Sequence, residues 1–243
     1  QELQAKVEAR FEELASIFQV EQPRLNWERL DDQDWSSSWK EHFRPFAITD
    51  GLVIAPTWEE YQAGEGEQLL VMDPGMAFGT GHHATTSLSL HCIRELLAKT
   101  PQASVLDVGT GTGILGMGAA LFGAGRVMGI DNDPEAVRAA RENVELNGLE
   151  DRMEVSLTPL HELQESFELI AANIIHDVLI TMVDDLWRLT KAGGHLVLSG
   201  ILGGEQEKNI IRVFAEKGFF YSETARKEEW VALHFSKGDG KEE

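Results

Sequence analysis

The chain has 243 residues, of which 42% are hydrophobic and 26% are charged, a composition that is typical of a globular protein and excludes a wholly disordered one. With 41 acidic and 21 basic residues the net charge is −20, which repels phosphate backbones, so we expect no direct binding of nucleic acid. No apolar run is long enough to span a bilayer, and the first residues lack the apolar core of a signal peptide, so neither a membrane protein nor a secreted one is predicted.

The net negative charge is informative about binding partners, and the single cysteine is informative about the redox compartment. A negative charge of this size promotes solubility, and this alone can explain it. The same electrostatic field would also attract a basic protein substrate, so both interpretations stay open. Cys92 cannot form an internal disulfide, and its apolar neighbours predict a buried side chain rather than a nucleophile. The sequence therefore favours a protein of the reducing cytoplasm.

The first sixty residues are interpreted as an appendage to a larger domain. Apolar residues recur at helical spacing over Leu3–Phe18, which predicts an amphipathic helix. A second helix is predicted after Asp31-Asp32, with three aromatic residues on one face. Asp50-Gly51 between two short apolar runs is typical of a β-hairpin. We therefore predict an appendage over residues 1–60 and a second domain over residues 61–243.

Strands and helices alternate through the larger domain. After an early strand, LLVMD, the predicted strands read SVLDV, RVMGID, MEVSL, FELIAAN, HLVLSG, FFYSE and WVALHF. Helices are predicted over residues 84–98, 114–122, 134–147, 175–189 and 205–217. This alternation with short connections predicts βαβ units and a mostly parallel sheet. The last two strands have only a short link, so they are predicted to form an antiparallel hairpin.

A glycine-rich loop follows the first strand of this series. The run Asp107-Val108-Gly109-Thr110-Gly111-Thr112-Gly113 connects a buried strand to a helix. Glycine permits a sharp turn and a close ligand, and the free amides of a helix start favour a carboxylate. Gly109, Gly111 and Gly113 are therefore candidate cofactor contacts. Asp107 is predicted to hold the loop or to accept a hydrogen bond from a ligand ammonium.

An acidic residue ends the next strand. Asp131 lies 20 residues after Gly111, a spacing at which a carboxylate accepts hydrogen bonds from both hydroxyls of a ribose. Asp133 precedes Pro134 and is better explained as a helix cap. Glycine loops also occur in nicotinamide and flavin enzymes, but neither tyrosine is followed by Lys four residues later, so the short-chain dehydrogenase dyad is absent.

The most specific motif lies upstream, where residues 73–86 read DPGMAFGTGHHATT. This run resembles the signature of the PrmA family, the methyltransferases of large-subunit ribosomal protein eleven. DVGTGTGILG, GIDNDP, AANI at 171–174 and SGIL at 199–202 follow in that family's order, and the resemblance covers roughly Asp32 to Phe235. It implies a Rossmann-like class I methyltransferase fold, with a mostly parallel seven-stranded sheet, an antiparallel edge and a small N-terminal appendage.

The resemblance also implies a cofactor, S-adenosyl-L-methionine, and the residues that bind it. Matched residue by residue, the family's cofactor contacts fall on Thr86, Gly109, Asp131 and Asn173. The loop residues expected to cover the methionine end of the cofactor are Phe78, Gly79 and Thr80. From the residues alone, Thr85 and Thr86 are equally explained as stabilising a helix start. The adjacent His82 and His83 are not expected to converge on one ion, so no metal is predicted.

Asn173 is the candidate catalytic residue, because it follows a buried strand at the end where ligands bind in such sheets. The run Asn173-Ile174-Ile175-His176 lacks an aromatic ring to stack on a flipped base, which argues against a DNA adenine methyltransferase. A flexible amine is the expected nucleophile. A desolvated pocket lowers the pKa of a lysine below its usual value of about 10.4, and the Asn173 carbonyl is expected to orient the lone pair. No dedicated base is required.

We therefore predict a protein N-methyltransferase that modifies lysine or α-amino groups of a large-subunit ribosomal protein, a basic partner. Three alternatives stay open: a lysine methyltransferase for another protein, a nicotinamide oxidoreductase, and a cofactor-binding module without catalysis. Members of the family begin with a substrate-recognition domain that is longer than the segment preceding DDQDW here. The opening helix is interpreted as a remnant of that domain or as its linker.

Overall fold

The computed structural model describes residues 2–21, 23–25, 44–72 and 83–239. The chain divides into two compact units, Gln1–Phe43 and Arg44–Glu243. In the first unit, helix α1 covers Glu2–Phe18, as the spacing of apolar residues predicts. The helix predicted after Asp31-Asp32 lies outside the described residues.

The second unit begins with a three-stranded sheet. Strand β1, Phe46–Thr49, pairs antiparallel with β2, Leu52–Ala55, and Gly51 takes a φ of +73° in the turn between them. Strand β2 in turn pairs in parallel with β3, Gln68–Val71, and all four residues of β2 are buried. This pairing joins the predicted hairpin to the larger unit, so the observed division falls after residue 43, whereas the sequence placed it after residue 60.

A seven-stranded sheet forms the centre of the second unit, in the order β6-β5-β4-β7-β8-β10-β9. The strands from β6 to β8 in this order are parallel, whereas β10 is antiparallel to both β8 and β9. This arrangement confirms the predicted mostly parallel sheet with an antiparallel edge. The strands are β4 Ser104–Val108, β5 Arg126–Ile130, β6 Met153–Ser156, β7 Phe167–Asn173, β8 Thr190–Leu202, β9 Phe219–Lys227 and β10 Trp230–Lys237.

Six α-helices of this unit are described, and their bounds agree with the sequence to within two residues, with one exception. They are α2 Ala84–Lys99, α3 Ile114–Leu121, α4 Pro134–Leu146, α5 His176–Thr181, α6 Val183–Leu189 and α7 Glu205–Lys217. The exception is the segment 175–189, predicted as one helix and observed as two. Met182, with φ −92° and ψ −4°, is the C-cap residue of α5 and the N-cap residue of α6.

Apolar side chains fill both faces of the large sheet. Along β4, Val105 belongs to one buried cluster and Leu106 to the other, because successive side chains of a strand point to opposite faces. The first cluster includes Cys92 of α2, which is 5% exposed; burial raises the pKa of its thiol to about 12, and the predicted buried cysteine is confirmed. None of the described helices has the length and apolarity of a membrane span.

The strand order sets the position of the site. The chain passes from β4 to β5 on one side and returns to β7 on the other side of β4. In a parallel sheet this reversal leaves a crevice at the carboxyl ends of the central strands, where ligands bind.

Candidate active site

The glycine-rich loop leaves β4 at this crevice. Gly109, Gly111 and Gly113 have φ values of +69°, +55° and +85°, a conformation that residues with a side chain rarely adopt. A Cβ added to Gly109 would lie 2.9 Å from Cδ1 of Ile174, so the Ile174 side chain would have to move. The course of the loop therefore depends on glycine.

Asp107 is buried at the end of β4, with 1% of its surface exposed. Its Oδ2 accepts hydrogen bonds from the Thr110 hydroxyl at 2.6 Å and from the Gly116 amide at 3.0 Å. Its Oδ1 is buried without a hydrogen-bond partner in the described part of the chain. Desolvation raises the pKa of Asp107 to about 6, although the two donors act in the opposite direction. The carboxylate thus holds the loop with one oxygen and leaves the other available to a ligand donor.

Asp131 stands at the end of β5 and is half-buried. Its Oδ2 accepts from the Gly111 amide at 2.9 Å, and its Oδ1 accepts from the Asp133 amide at 3.0 Å. These two bonds orient the carboxylate. The Asp133 carboxylate accepts from the Glu135 amide at 2.9 Å and caps α4, with Pro134 as the first helical residue. The capping role predicted for Asp133 is therefore confirmed.

A cavity of about 480 Å³ lies at the carboxyl ends of β4, β5, β6 and β7. Its volume is in the range of small-molecule sites, and its walls are mostly apolar. The polar side chains in its lining are Asp131, Asn132 and Thr158. Apolar walls beside a single oriented carboxylate suit a nucleoside, with the base against the walls and the ribose at the carboxylate. The apolar lining comprises Val108, Ile130, Leu157, Pro159, Leu160, Ile174, Val178 and Met182, together with Gly109.

Residues 157–160 of this lining are not predicted from the sequence. They follow β6 as Asp131 follows β5, so they reach the same edge of the sheet. The rule that ligands bind at the carboxyl ends of parallel strands was the one signal that would have found them. Their composition carries none, because Leu-Thr-Pro-Leu reads as an ordinary loop.

Two adjacent threonines at the start of α2, Thr85 and Thr86, differ in the hydrogen bonds of their hydroxyl groups. The Thr85 hydroxyl lies 2.8 Å from Nδ1 of His83, the N-cap residue, and the same nitrogen accepts from the Thr85 amide at 3.4 Å. Thr86 is equally buried, at 1% exposure, yet its hydroxyl has no hydrogen-bond partner among the residues described. Thr85 is thus explained by the helix start, whereas the Thr86 hydroxyl is available to a ligand.

Asn173 ends β7 next to the glycine-rich loop. It pairs in register with Ser199 of β8, and the following Ile174 donates its amide hydrogen to the Ser199 carbonyl at 3.1 Å. Ile174 also lines the cavity and contacts Gly109. The half-buried Asn173 therefore lies at the same edge of the sheet as the loop and Asp131.

The upstream loop contains three further predicted contacts, Phe78, Gly79 and Thr80, which lie outside the described residues, as does His82. His83 caps α2, and its ring packs edge-on against Trp230 with the ring centroids 4.8 Å apart. Within residues 2–21, 23–25, 44–72 and 83–239, no group of three His, Cys, Asp or Glu side chains is placed to hold a metal ion.

Comparison with known proteins identifies the family. The family model described as ribosomal protein L11 methyltransferase (PrmA) matches residues 2–238. A ribosomal protein L11 methyltransferase from Desulfotalea psychrophila is 53% identical over 225 residues, which cover 93% of this chain and 75% of the relative. The crystal structure of ribosomal protein L11 methylase from Lactobacillus delbrueckii subsp. bulgaricus matches with a TM-score of 0.74 and 33% identity, over 81% of this chain and 100% of that one.

A more distant structure shares the fold. N-methyltransferase NodS from Bradyrhizobium japonicum, in complex with S-adenosyl-L-homocysteine, matches with a TM-score of 0.52 and 16% identity, over 64% of this chain and 89% of that one. The family, and with it the class I fold and the cofactor implied by the upstream motif, are confirmed by the family model and the curated relatives. The chain belongs to the ribosomal protein L11 methyltransferase family and is an S-adenosyl-L-methionine-dependent methyltransferase.

Proposed function

We propose that this enzyme methylates lysine or α-amino groups of ribosomal protein L11. Membership of the family supports the substrate. The structural observation that carries the proposal is the meeting of Asn173, the glycine-rich loop and Asp131 at one edge of the sheet. A net charge of −20 favours the approach of a basic ribosomal protein and disfavours direct contact with RNA. We expect the reaction to take place in the cytoplasm.

In this proposal the cofactor supplies an activated methyl group, and the protein supplies position and desolvation. Asp131 accepts hydrogen bonds from the ribose hydroxyls, while Thr86 and Asp107 bind the methionine end. Phe78, Gly79 and Thr80 of the upstream loop are proposed to cover that end. Entry into a desolvated site lowers the pKa of the target amine, so that it loses its proton before transfer. The Asn173 carbonyl then accepts a hydrogen bond from the amine and turns its lone pair toward the methyl group.

A labelling experiment tests the substrate. The purified chain is incubated with S-adenosyl-L-methionine that carries a tritiated methyl group, together with either L11 or an unrelated basic protein. We expect label in L11 alone, at amino groups that mass spectrometry can map. Labelling of the unrelated protein but not of L11 would favour a lysine methyltransferase for another protein. Cofactor binding without labelling of either protein would favour a module without catalysis.

Thr86→Val is expected to weaken the binding of S-adenosyl-L-methionine about fivefold without lowering the melting temperature. Valine keeps the shape of threonine, and the hydroxyl that it removes has no partner among the described residues, so only the ligand loses a hydrogen bond of roughly 1 kcal/mol. Calorimetric titration and thermal unfolding measure the two effects.

Thr85→Val is the matched control for this variant. It removes the hydroxyl that faces His83, so we expect a lower melting temperature and an unchanged cofactor affinity. Equal affinities of the two variants would show that the Thr86 hydroxyl does not bind the cofactor.

Asp107 is expected to make cofactor binding depend on pH. Binding of the methionine ammonium requires a charged carboxylate, and burial raises the pKa of Asp107 to about 6. The affinity should therefore be constant above about pH 7 and should fall as the pH decreases below 6, by about tenfold per unit. Calorimetric titrations between pH 5 and 8 measure this dependence.

Folding stability should respond in the opposite direction, because the pKa of Asp107 is higher in the folded chain than in the unfolded one. Its contribution to stability is present at low pH and is lost as the pH rises through about 6.

Asp107→Asn is the control for the affinity measurement. Its side chain cannot titrate, so the affinity of this variant for S-adenosyl-L-methionine should not fall as the pH decreases below 6. A wild-type affinity that stays constant from pH 5 to 8 would exclude an ionic contact between Asp107 and the cofactor.

A further inference from the structure

The backbone of Ile174 is confined by a glycine of the neighbouring strand. Gly200 in β8 has a φ of +83°, and a Cβ added to it would lie 2.5 Å from the carbonyl oxygen of Ile174. The next nearest atoms are the carbonyl carbon of Ile174 at 2.9 Å and its amide nitrogen at 3.1 Å. All three belong to the backbone, so no side-chain rotation can make room. A residue with a side chain at position 200 would displace the Ile174 peptide.

The opposite side of Ile174 is confined as well. A Cβ added to Gly109 would lie 2.9 Å from Cδ1 and 3.0 Å from Cγ1 of Ile174. The Ile174 amide also donates to the Ser199 carbonyl at 3.1 Å. Ile174 is therefore held between the glycine-rich cofactor loop and β8, and two glycines permit this close packing.

Asn173 directly precedes Ile174 in the chain, so the two residues share a peptide bond. The Ile174 nitrogen, 3.1 Å from the added Cβ, belongs to that shared peptide unit. Because the unit is planar and rigid, a shift of this nitrogen also moves the Cα of Asn173. The Asn173 amide would then point away from the position at which it orients the target amine. A misplacement of about 1 Å reduces turnover by about 100-fold in enzymes that act mainly by positioning.

We propose that Gly200 is a positioning residue for methyl transfer: its missing side chain lets β8 support the backbone of Ile174, which lines the cofactor cavity, and thereby positions the preceding Asn173 beside that cavity. The inference rests on the proposed function, in which Asn173 orients the amine. It assigns a role to the SGIL segment, which the sequence singled out only as a family resemblance.

Gly200→Ala tests the inference, with Gly204→Ala as the matched control. Gly204 has a φ of +96°, but a Cβ added there meets no atom within 4 Å. Both variants place alanine at a positive φ, and only Gly200→Ala also displaces a neighbour. With L11 as substrate, we expect kcat to fall about 100-fold in Gly200→Ala and less than about twofold in Gly204→Ala. The Kd for S-adenosyl-L-methionine should rise less than about tenfold in Gly200→Ala, because Asp131, Asp107 and Thr86 remain, and should be unchanged in Gly204→Ala. Cofactor binding also shows that both variants are folded.

A double-mutant cycle separates positioning from a general loss of structure. If Gly200 acts through Asn173, adding Gly200→Ala to Asn173→Ala should reduce kcat no further. The inference is overturned if Gly200→Ala is as active as Gly204→Ala, or if it reduces kcat by the same factor with and without Asn173. A wild-type chain that methylates no amine would instead overturn the proposed function, and this inference with it.

A second variant acts from the other side of Ile174 in case Gly200→Ala fails to fold. Ile174→Val removes the Cδ1 atom nearest to Gly109, a small change that protein cores usually tolerate. We expect kcat to fall about fivefold, whereas the control Ile175→Val, at a position 67% exposed, should leave kcat unchanged. Equal kcat values for these two variants would contradict the role of Ile174 in positioning.

Discussion

Asp131→Ala is expected to raise the Kd for S-adenosyl-L-methionine by at least about 100-fold. Each ribose hydroxyl bound by a carboxylate contributes roughly 1.5 kcal/mol or more, and 1.4 kcal/mol corresponds to a factor of ten. The substitution also leaves the Gly111 amide without the oxygen that accepts its hydrogen at 2.9 Å, so the loop loses a constraint. Calorimetric titration of the purified variant measures the loss.

Asp133→Ala is the control, because it makes the same chemical change two residues away. The Asp133 carboxylate is exposed and caps α4, so we expect a loss of about 1 kcal/mol in the free energy of unfolding and an unchanged Kd. NADH serves as a parallel ligand and should bind to neither the wild type nor the variants. Wild-type affinity in Asp131→Ala would refute the assignment of the ribose to this carboxylate.

Asn173→Ala is expected to lower kcat by about 100- to 1,000-fold, because it removes the one acceptor proposed to orient the target amine. The Kd of the cofactor should rise less than tenfold, since Asp131, Asp107 and Thr86 remain. Single-turnover transfer to L11 at saturating cofactor separates this loss from weaker binding.

Asn132→Ala is expected to change cofactor binding rather than turnover, the opposite of Asn173→Ala. Asn132 is exposed, follows β5 and lines the cavity away from β7, so we expect a moderately higher Kd and an unchanged kcat. Asn173→Asp adds a test by the pH dependence of activity. The introduced carboxylate stabilises the charged form of the target amine and raises its pKa, so the optimum pH for methyl transfer should increase. Full turnover in Asn173→Ala would leave the proposed orientation of the amine without support.

Much of the fold was predictable because its signals are local. Apolar runs of strand length alternate with helical spacing, and this alternation alone predicts the mostly parallel sheet that the structure contains. The caps of α4 and the glycine-rich loop are likewise determined within a few residues, because capping and positive φ depend on the residue at each position. The family was recognisable because its loop motif is long and specific.

Other features arise from contacts between segments that are distant in the chain, and no local pattern reports such contacts. The hairpin of β1 and β2 belongs to the larger unit because β2 pairs with β3. Residues 157–160 line the cavity because β6 lies beside β5. The sequence could not tell Thr85 from Thr86, since the difference is which hydroxyl faces His83. Nor could it show why position 200 is glycine, because the Ile174 backbone that excludes a side chain there directly follows another strand, β7.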